Sequence, residues 1–227
     1  MNYLQLVQRL HRESGRSGSG PTALIGASKD HQRLFDWVAD ACRNLESRPI
    51  DWRWLRESLT AAPTVSGQGD YTGTDLGATD FGRWRVFSDD YTVKCYLPAT
   101  PTNVWRLAWM EPEQFKERYD DLQPADGKPM HWTISDGDAL RIGPAPDDIY
   151  SLKVDYLREP QELAADADVP GLPARFHLML MWRALVDVGK FDNAADVLAR
   201  ASTNFAALES ALIDDQARAI TLGAPLV

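Results

Sequence analysis

The sequence has little of what secreted, membrane-spanning or metal-binding proteins require. Among its 227 residues are two cysteines, Cys42 and Cys95, which lie far apart and give neither a zinc-ligand spacing nor a disulfide framework. No stretch approaches the ~20 apolar residues of a membrane span, and the N-terminal segment is too polar for the core of a signal peptide. We therefore expect a soluble protein from a reducing compartment, with both cysteines buried as small apolar residues.

Positive charge is scarce as well. The chain has 24 lysines and arginines against 33 acidic residues, which gives a formal net charge of -9 at pH 7. A protein that binds nucleic acid by neutralising phosphates needs a basic face, and no run of Lys or Arg is present to build one. Storage or sequence-specific reading of DNA is therefore not expected.

Motifs for catalysis and metal binding are missing too. The histidines His11, His31, His131 and His177 fall in four different predicted elements, without an HExxH motif or any paired spacing. The Gly/Ser tract 15–20 lacks the Lys-Ser/Thr pair of a phosphate-binding loop and follows a helix rather than a strand, so we interpret it as a linker. We expect a protein without enzymatic activity, cofactor or metal, and His177 as a satisfied core or interface histidine.

Three aspartates, Asp70, Asp75 and Asp80, recur every five residues, each close to a glycine. Paired carboxylates could serve a glycosidase as acid and nucleophile. Asp beside Gly is also the usual chemistry of turns, because the carboxylate hydrogen-bonds to its own backbone. We favour turns, since nothing marks a partner base or a desolvating pocket. A hydrolase that uses this cluster remains one alternative.

Eight tryptophans raise a second alternative, a carbohydrate-binding or host-recognition module, because exposed aromatic rings stack on sugars. Trp84, Trp105, Trp109 and Trp132 occupy alternating strand positions that they share with Leu and Ile, which favours core packing. Trp182 lies in an almost entirely apolar helix and is also expected in the core.

Helical periodicity marks both ends of the chain, and strand periodicity marks the middle. Helices are predicted at 3–14, after the N-cap Ser28 and before Pro49, at 176–188 where Gly189 ends the helix, and at 192–212. Strands are predicted around 91–97, 105–109, 130–134, 140–142 and 150–156, with a hairpin at Asp136-Gly137 and a helical turn near 113–119. The expected fold class is α+β: a helical bundle formed by 1–62 and 160–227, with an antiparallel β module at 63–159 inserted into it.

The order of these elements resembles the head-to-tail adaptor proteins of tailed bacteriophages, including gatekeeper-like tail tube proteins. The resemblance lies in the strand and turn 152–160, the segment 169–173 that opens the helix 176–188, and the helix 192–212. The amphipathic N-terminal helices and the intervening β module complete it. It covers nearly the whole chain and is a similarity of pattern, not of an invariant motif.

The resemblance implies a structural virion protein with no enzymatic activity and no cofactor. It implies a dodecameric ring of this chain that assembles on the portal protein, extends the DNA channel and docks a downstream tail, nozzle or stopper protein. Double-stranded DNA would pass through without sequence-specific binding, and no membrane would be involved. The protein would be made in the host cytoplasm and would lie at the head-to-tail interface of the virion.

The resemblance and the charge pattern together suggest site residues. An acidic channel wall repels the phosphate backbone within a Debye length of about 8 Å, so that DNA slides rather than sticks. From their loop positions, the expected channel-lining residues are Asp70, Asp75, Asp80 and Asp89. The expected portal or subunit interface residues are Leu222, Gly223, Leu226, Val227, Arg175 and Arg183. We expect the segments 15–20, 67–82 and 222–227 to be loosely held in the free subunit and to become ordered on assembly.

Overall fold

The computed structural model of the protein describes residues 1–86 and 93–216. It divides the chain into two compact units, one of Met1–Trp54 with the described residues from Pro160 onward, and one of Leu55–Glu159. The first is the helical unit and the second, which contains the sheets, is the β unit, so the protein is α+β, as predicted. Within the described ranges, no helix is long and apolar enough to cross a membrane.

The described residues form five α-helices and nine strands. The helices are α1 (Tyr3–Glu13), α2 (Lys29–Glu46), α3 (Pro112–Phe115), α4 (His177–Phe191) and α5 (Ala195–Gln216). The strands are β1 (Arg56–Pro63), β2 (Asp70–Tyr71), β3 (Phe81–Trp84), β4 (Val93–Tyr96), β5 (Trp105–Arg106), β6 (Ala108–Trp109), β7 (His131–Ile134), β8 (Leu140–Gly143) and β9 (Ser151–Arg158). A π-helix, Lys116–Asp121, continues α3, and 3₁₀ turns lie at Arg53–Leu55 and Ala174–Phe176.

The starts of the two N-terminal helices follow from their sequences. Asn2 and Gln5 form a capping box at α1, in which each side chain accepts a hydrogen bond from the backbone N–H of the other. Ser28 caps α2, as predicted, by accepting a hydrogen bond from the N–H of His31. Both caps satisfy backbone donors that a helix leaves free at its first turn.

The central helix α4 is buried on most sides, as its apolar sequence predicts. The prediction that Gly189 ends it is wrong, because α4 continues to Phe191. A Cβ on Gly189 would lie 3.0 Å from both Cα and N of Leu198 in α5. Glycine at this position therefore allows α4 and α5 to approach closely. Trp182 is partly exposed, and its expected place in the core is a second correction.

Helix α5 packs on α4, and the residues of its predicted heptad seam are more buried than most of their neighbours. Ala201 and Leu212 are buried, and Leu198, Phe205 and Leu208 are partly buried. The helix is displaced toward the C-terminus relative to the predicted span of 192–212. The connection before it is a turn, which the prediction had included in the helix.

The first sheet is built around β9. β1 pairs with one edge of β9, while β4 and β3 share the other edge, opposite residues 151–154 and 156–158. β5 then pairs with β4, and all these pairs are antiparallel. β1 lies in a segment for which the sequence predicts no strand.

The second sheet has the order β2-β8-β7-β6. β7 and β8 form the predicted antiparallel hairpin, and β6 makes a short parallel pair with β7. In the hairpin turn the positive φ of 57° falls on Asp138, not on Gly137. The N–H of Asp138 donates to the carbonyl of Ser135, so a turn followed by one left-handed residue joins the strands.

The inner faces of both sheets pack on one core. The first sheet contributes Trp84, Val93, Cys95, Leu152, Val154 and Tyr156, and the second contributes Tyr71, Trp132, Leu140 and Ile142. Because side chains alternate along a strand, the residues between these positions lie on the outer faces. Trp84 and Trp132 are buried as predicted, but Trp109, in the edge strand β6, is 38% exposed and is not a core residue.

The Asp/Gly segment 67–82 is also tied to this core. Tyr71, Leu76 and Ala78 in it are each no more than 3% exposed. A Cβ on Gly73 would lie 2.3 Å from the Phe81 ring, so the chain passes directly against that side chain. The expectation that this whole segment is loosely held in the free subunit is therefore wrong.

Candidate functional site

Asp70, the first of the expected channel residues, is an exposed side chain of β2 that is bound to Arg141 of β8. Its Oδ1 lies 2.7 Å from Nε of Arg141. The same guanidinium makes a bidentate pair with Asp120, at 2.7 and 3.0 Å, and its Cζ lies 5.1 Å from the centre of the Phe115 ring. The Arg141 hydrogen bonds hold the pKa of Asp120 below its ordinary value.

These residues line a cavity of about 200 Å³. Arg141 already holds two carboxylates, so it is not available to a substrate carboxylate or phosphate. None of the described histidines hydrogen-bonds to Asp70 or Asp120. The ion pairs among its lining residues are therefore structural, and the described lining contains no acid–base pair suited to hydrolysis.

The next two expected channel residues are also exposed and partnered. Asp75 accepts hydrogen bonds from both N and Oγ1 of Thr72, at 2.8 and 2.7 Å, and these bonds lower its pKa. This is the turn chemistry that the sequence predicts. Asp80 accepts a hydrogen bond of 2.7 Å from the hydroxyl of Tyr156. Burial and this bond raise the pKa of Tyr156 to about 12. Asp89 lies outside the described residues.

Of the two expected interface arginines, one lies just before α4 and the other lies within it. Arg175, just before α4, forms an ion pair with Asp215 near the end of α5 and lowers the pKa of that carboxyl. Arg183, about two turns into α4, pairs with Asp187 at 2.8 Å. Both guanidinium groups thus hold carboxylates of their own chain. The other expected interface residues, Leu222, Gly223, Leu226 and Val227, lie outside the described residues.

The histidines do not form a catalytic or metal-binding arrangement in the described part of the chain. His177 is buried at the start of α4, and its Nε2 lies 2.9 Å from the carbonyl of Leu172, which confirms it as a satisfied core histidine. His11 and His31 meet edge to face with ring centres 5.4 Å apart, a contact between α1 and α2 that the sequence gives no signal for. The described residues hold no group of three or more His, Cys, Asp or Glu side chains suited to a metal ion.

Sequence reasoning missed a row of basic side chains on the outer face of the first sheet. Lys94 of β4 lies directly opposite Lys153 of β9 on one side and Arg106 of β5 on the other. In the sequence, each of these residues occupies a polar position of an alternating strand. Only the register of three strands shows that the three are neighbours, and no local pattern encodes that register.

The model of the SU10 adaptor protein family matches residues 1–227. The match therefore includes both units and the connections between them. No curated protein matches the chain.

Proposed function

Since the chain belongs to the SU10 adaptor protein family, a family of phage head-to-tail adaptors, we propose that it forms a closed ring beneath the portal. The protein is a structural component of the phage particle, and an adaptor contacts both portal and tail proteins. In this proposal a dodecameric ring extends the DNA channel and docks the next tail component. The observation that carries it is the family match over the whole chain.

The channel wall of the ring is proposed to include Asp70, Asp75, Asp80 and Asp89. The first three are exposed carboxylates of the β unit, and the lowered pKa of Asp75 keeps it ionised. With a net charge of -9 per chain, a ring of many copies presents a strongly negative wall. Such a wall repels DNA phosphates at short range, which allows the duplex to pass without sticking.

The portal and subunit interface is proposed to include Arg175, Arg183 and the C-terminal residues Leu222, Gly223, Leu226 and Val227. Arg175 supports this placement because its partner Asp215 lies close in sequence to that segment. Arg175 itself is exposed, and an exposed arginine that exchanges a carboxylate of its own chain for one on a partner loses little, because ion pairs at the surface contribute weakly.

Co-sedimentation with portal rings from the same phage tests this function. Wild-type protein is expected to sediment with the portal, and Arg175→Glu is expected to reduce the bound fraction about tenfold, since reversal of an interface charge weakens association. Arg12→Glu, an exposed site on α1, is the matched control and should bind like wild type. Wild-type protein that is folded but does not bind the portal would contradict the proposal.

The structure gives less support to a carbohydrate-binding or host-recognition module. That function needs several tryptophans exposed on one sheet face. Of the eight tryptophans, all of them described, only Trp109 is exposed. Its indole donates a hydrogen bond to Glu111, and its ring lies edge to face with Trp132 at 4.7 Å.

A further inference from the structure

The basic row, defined as Lys153, Lys94 and Arg106, crosses three adjacent strands of the first sheet. Directly opposed residues of antiparallel strands point to the same face, with Cβ atoms about 5 Å apart. Val93, Cys95 and their neighbours on β9 face the core, so the basic row lies on the outer face. The row is about 10 Å wide.

Two features of the lysines in this row are unfavourable within the described part of the single chain. Like charges directly opposite each other destabilise a sheet, and Lys94 opposes two of them. No carboxylate of the described residues forms a salt bridge with Lys94 or Lys153, and the Lys153 ammonium lies 5.0 Å from the Tyr96 ring. In a chain of net charge -9, a concentrated positive row calls for a negative partner.

The same unit carries a surface of opposite charge. The acidic ridge, defined as Glu113, Glu117 and Asp121, runs along α3 and the π-helix, with all three side chains exposed. Their spacing of four residues places them along one side of the helical segment, over about 12 Å. Residues 111–126 contain six acidic and two basic side chains, so the segment is acidic as a whole.

The two charged surfaces lie on opposite sides of the β unit. The helical segment that bears the ridge packs on the outer face of the second sheet. There the Tyr119 hydroxyl hydrogen-bonds to Nδ1 of His131, and the Tyr119 ring leaves no room for a Cβ on Gly143. The basic row lies on the outer face of the first sheet, and the shared core separates the two sheets.

We propose that the basic row of one copy binds the acidic ridge of a second copy, and that this contact repeats around the ring. The inference rests on the proposed ring. A closed ring needs two different, complementary patches on each subunit, and this unit has them on opposite faces with similar lengths. A protein ridge suits the row better than DNA does. The phosphates of a DNA duplex would also face the many acidic side chains of the chain around the row. The ridge instead brings its carboxylates within the screening distance of the row.

A charge-swap experiment tests this contact. The row variant is Lys94→Glu with Lys153→Glu, and the ridge variant is Glu113→Lys with Glu117→Lys. Either variant alone places like charges in every contact, so ring formation on the portal, counted by electron microscopy, should fall about tenfold. In an equimolar mixture, alternating copies meet through opposite charges at every contact. Rings should therefore return to the wild-type number.

The controls separate this inference from the proposed function. Lys29→Glu, an exposed change of the same charge in the helical unit, should leave ring formation unchanged. Wild type that forms no ring on the portal overturns the proposed function. If wild type forms rings and a row variant by itself also forms them, this contact is overturned. Row variants that form rings normally but bind DNA more weakly assign the row to DNA and overturn the contact as well.

A milder pair of changes covers the case in which the reversed variants do not fold. Lys94→Gln with Lys153→Gln removes the charge without adding repulsion. Between about 0.05 M and about 0.5 M salt, wild-type ring formation should fall, because salt screens exposed charge pairs. The neutral variant should form fewer rings at low salt and show a smaller salt dependence. Equal salt curves for the two proteins would overturn the contact.

Discussion

At the scale of single residues, burial governs the chemistry of the histidines. His177 lies in the helical core, where its Nδ1 is 2.8 Å from Met1 N and its Nε2 is 2.9 Å from the Leu172 carbonyl. A neutral ring satisfies both contacts, with Nδ1 accepting and Nε2 donating. Burial lowers the pKa of His177, and it is also the main cause of the lowered pKa of His11 and His131.

These lowered values predict a loss of stability in mild acid. Each histidine protonates near pH 6.5 in the unfolded chain but only at lower pH in the folded one, so below about pH 6.5 the unfolded state binds more protons. The thermal midpoint at about pH 5.5 should therefore lie below that at about pH 7.5. His177→Asn should show a smaller drop than wild type. An unchanged wild-type midpoint over this range would contradict the lowered pKa values of the three histidines.

At the scale of elements, a single glycine sets how closely α4 and α5 pack. The periodicity of both helices predicts their apolar faces, and these are observed apart from the partly exposed Trp182. It cannot show that Gly189 meets the backbone of Leu198, because that depends on the crossing point of two helices. A glycine after an apolar helix therefore suggests a stop, while its actual role is close contact.

The substitution Gly189→Ala should destabilise the protein by about 1–3 kcal/mol, since the added methyl group must displace the α5 backbone. Gly137→Ala is the matched control, because the nearest atom to its added Cβ is Oγ of Ser135 at 3.9 Å. Urea unfolding measures both. Equal and small effects of the two substitutions would show that α4 and α5 do not pack as described.

The strands show how much of the sheet architecture local sequence patterns predict. Alternation predicts β4, β7 and β9, and the Asp136-Gly137 signal predicts the β7–β8 hairpin. β1 does not alternate cleanly, because a register shift between Leu59 and Ala62 interrupts its pairing with β9 and no described strand pairs with its outer edge. Trp109 is exposed for a related reason, since β6 is the last strand of its sheet.

In the candidate site too, local sequence predicts some features and not others. The exposed position and turn role of Asp75 follow from its local sequence, and the core position of His177 follows from its apolar helix. The ion pairs of Asp70 and Arg175 join residues distant in the chain, as does the opposition of Lys94 and Lys153. Such contacts depend on topology and register, which a single sequence encodes only through the whole fold.

The like charges of the basic row predict that the isolated chain gains stability when the central one is removed. Lys94→Gln should stabilise the free protein by about 0.2–1 kcal/mol, because Lys94 opposes two cations. Lys153→Gln should have a smaller effect, since Lys153 opposes one cation and contacts the Tyr96 ring. Chemical unfolding compares the two. A loss of stability in Lys94→Gln larger than that in Lys153→Gln would contradict the register.

At the scale of the whole molecule, assembly should order the segment that makes few contacts in the free chain. Gly15 and Gly18 in the linker have positive φ angles, and a Cβ added at either would meet no atom within 4 Å, whereas the 67–82 segment is anchored in the core. Amides of 15–20 should exchange rapidly in the free protein and slow on ring formation. Amides around Leu76 should be protected in both states. Rapid exchange at Leu76 in the free protein would contradict the described packing.

The central claim is that this chain closes into a ring on the portal. Electron microscopy of the purified protein, alone and after mixing with portal rings from the same phage, tests it most directly. The account predicts separate subunits in the first sample and closed rings seated on the portal in the second. Well-folded protein that leaves every portal ring bare would contradict it.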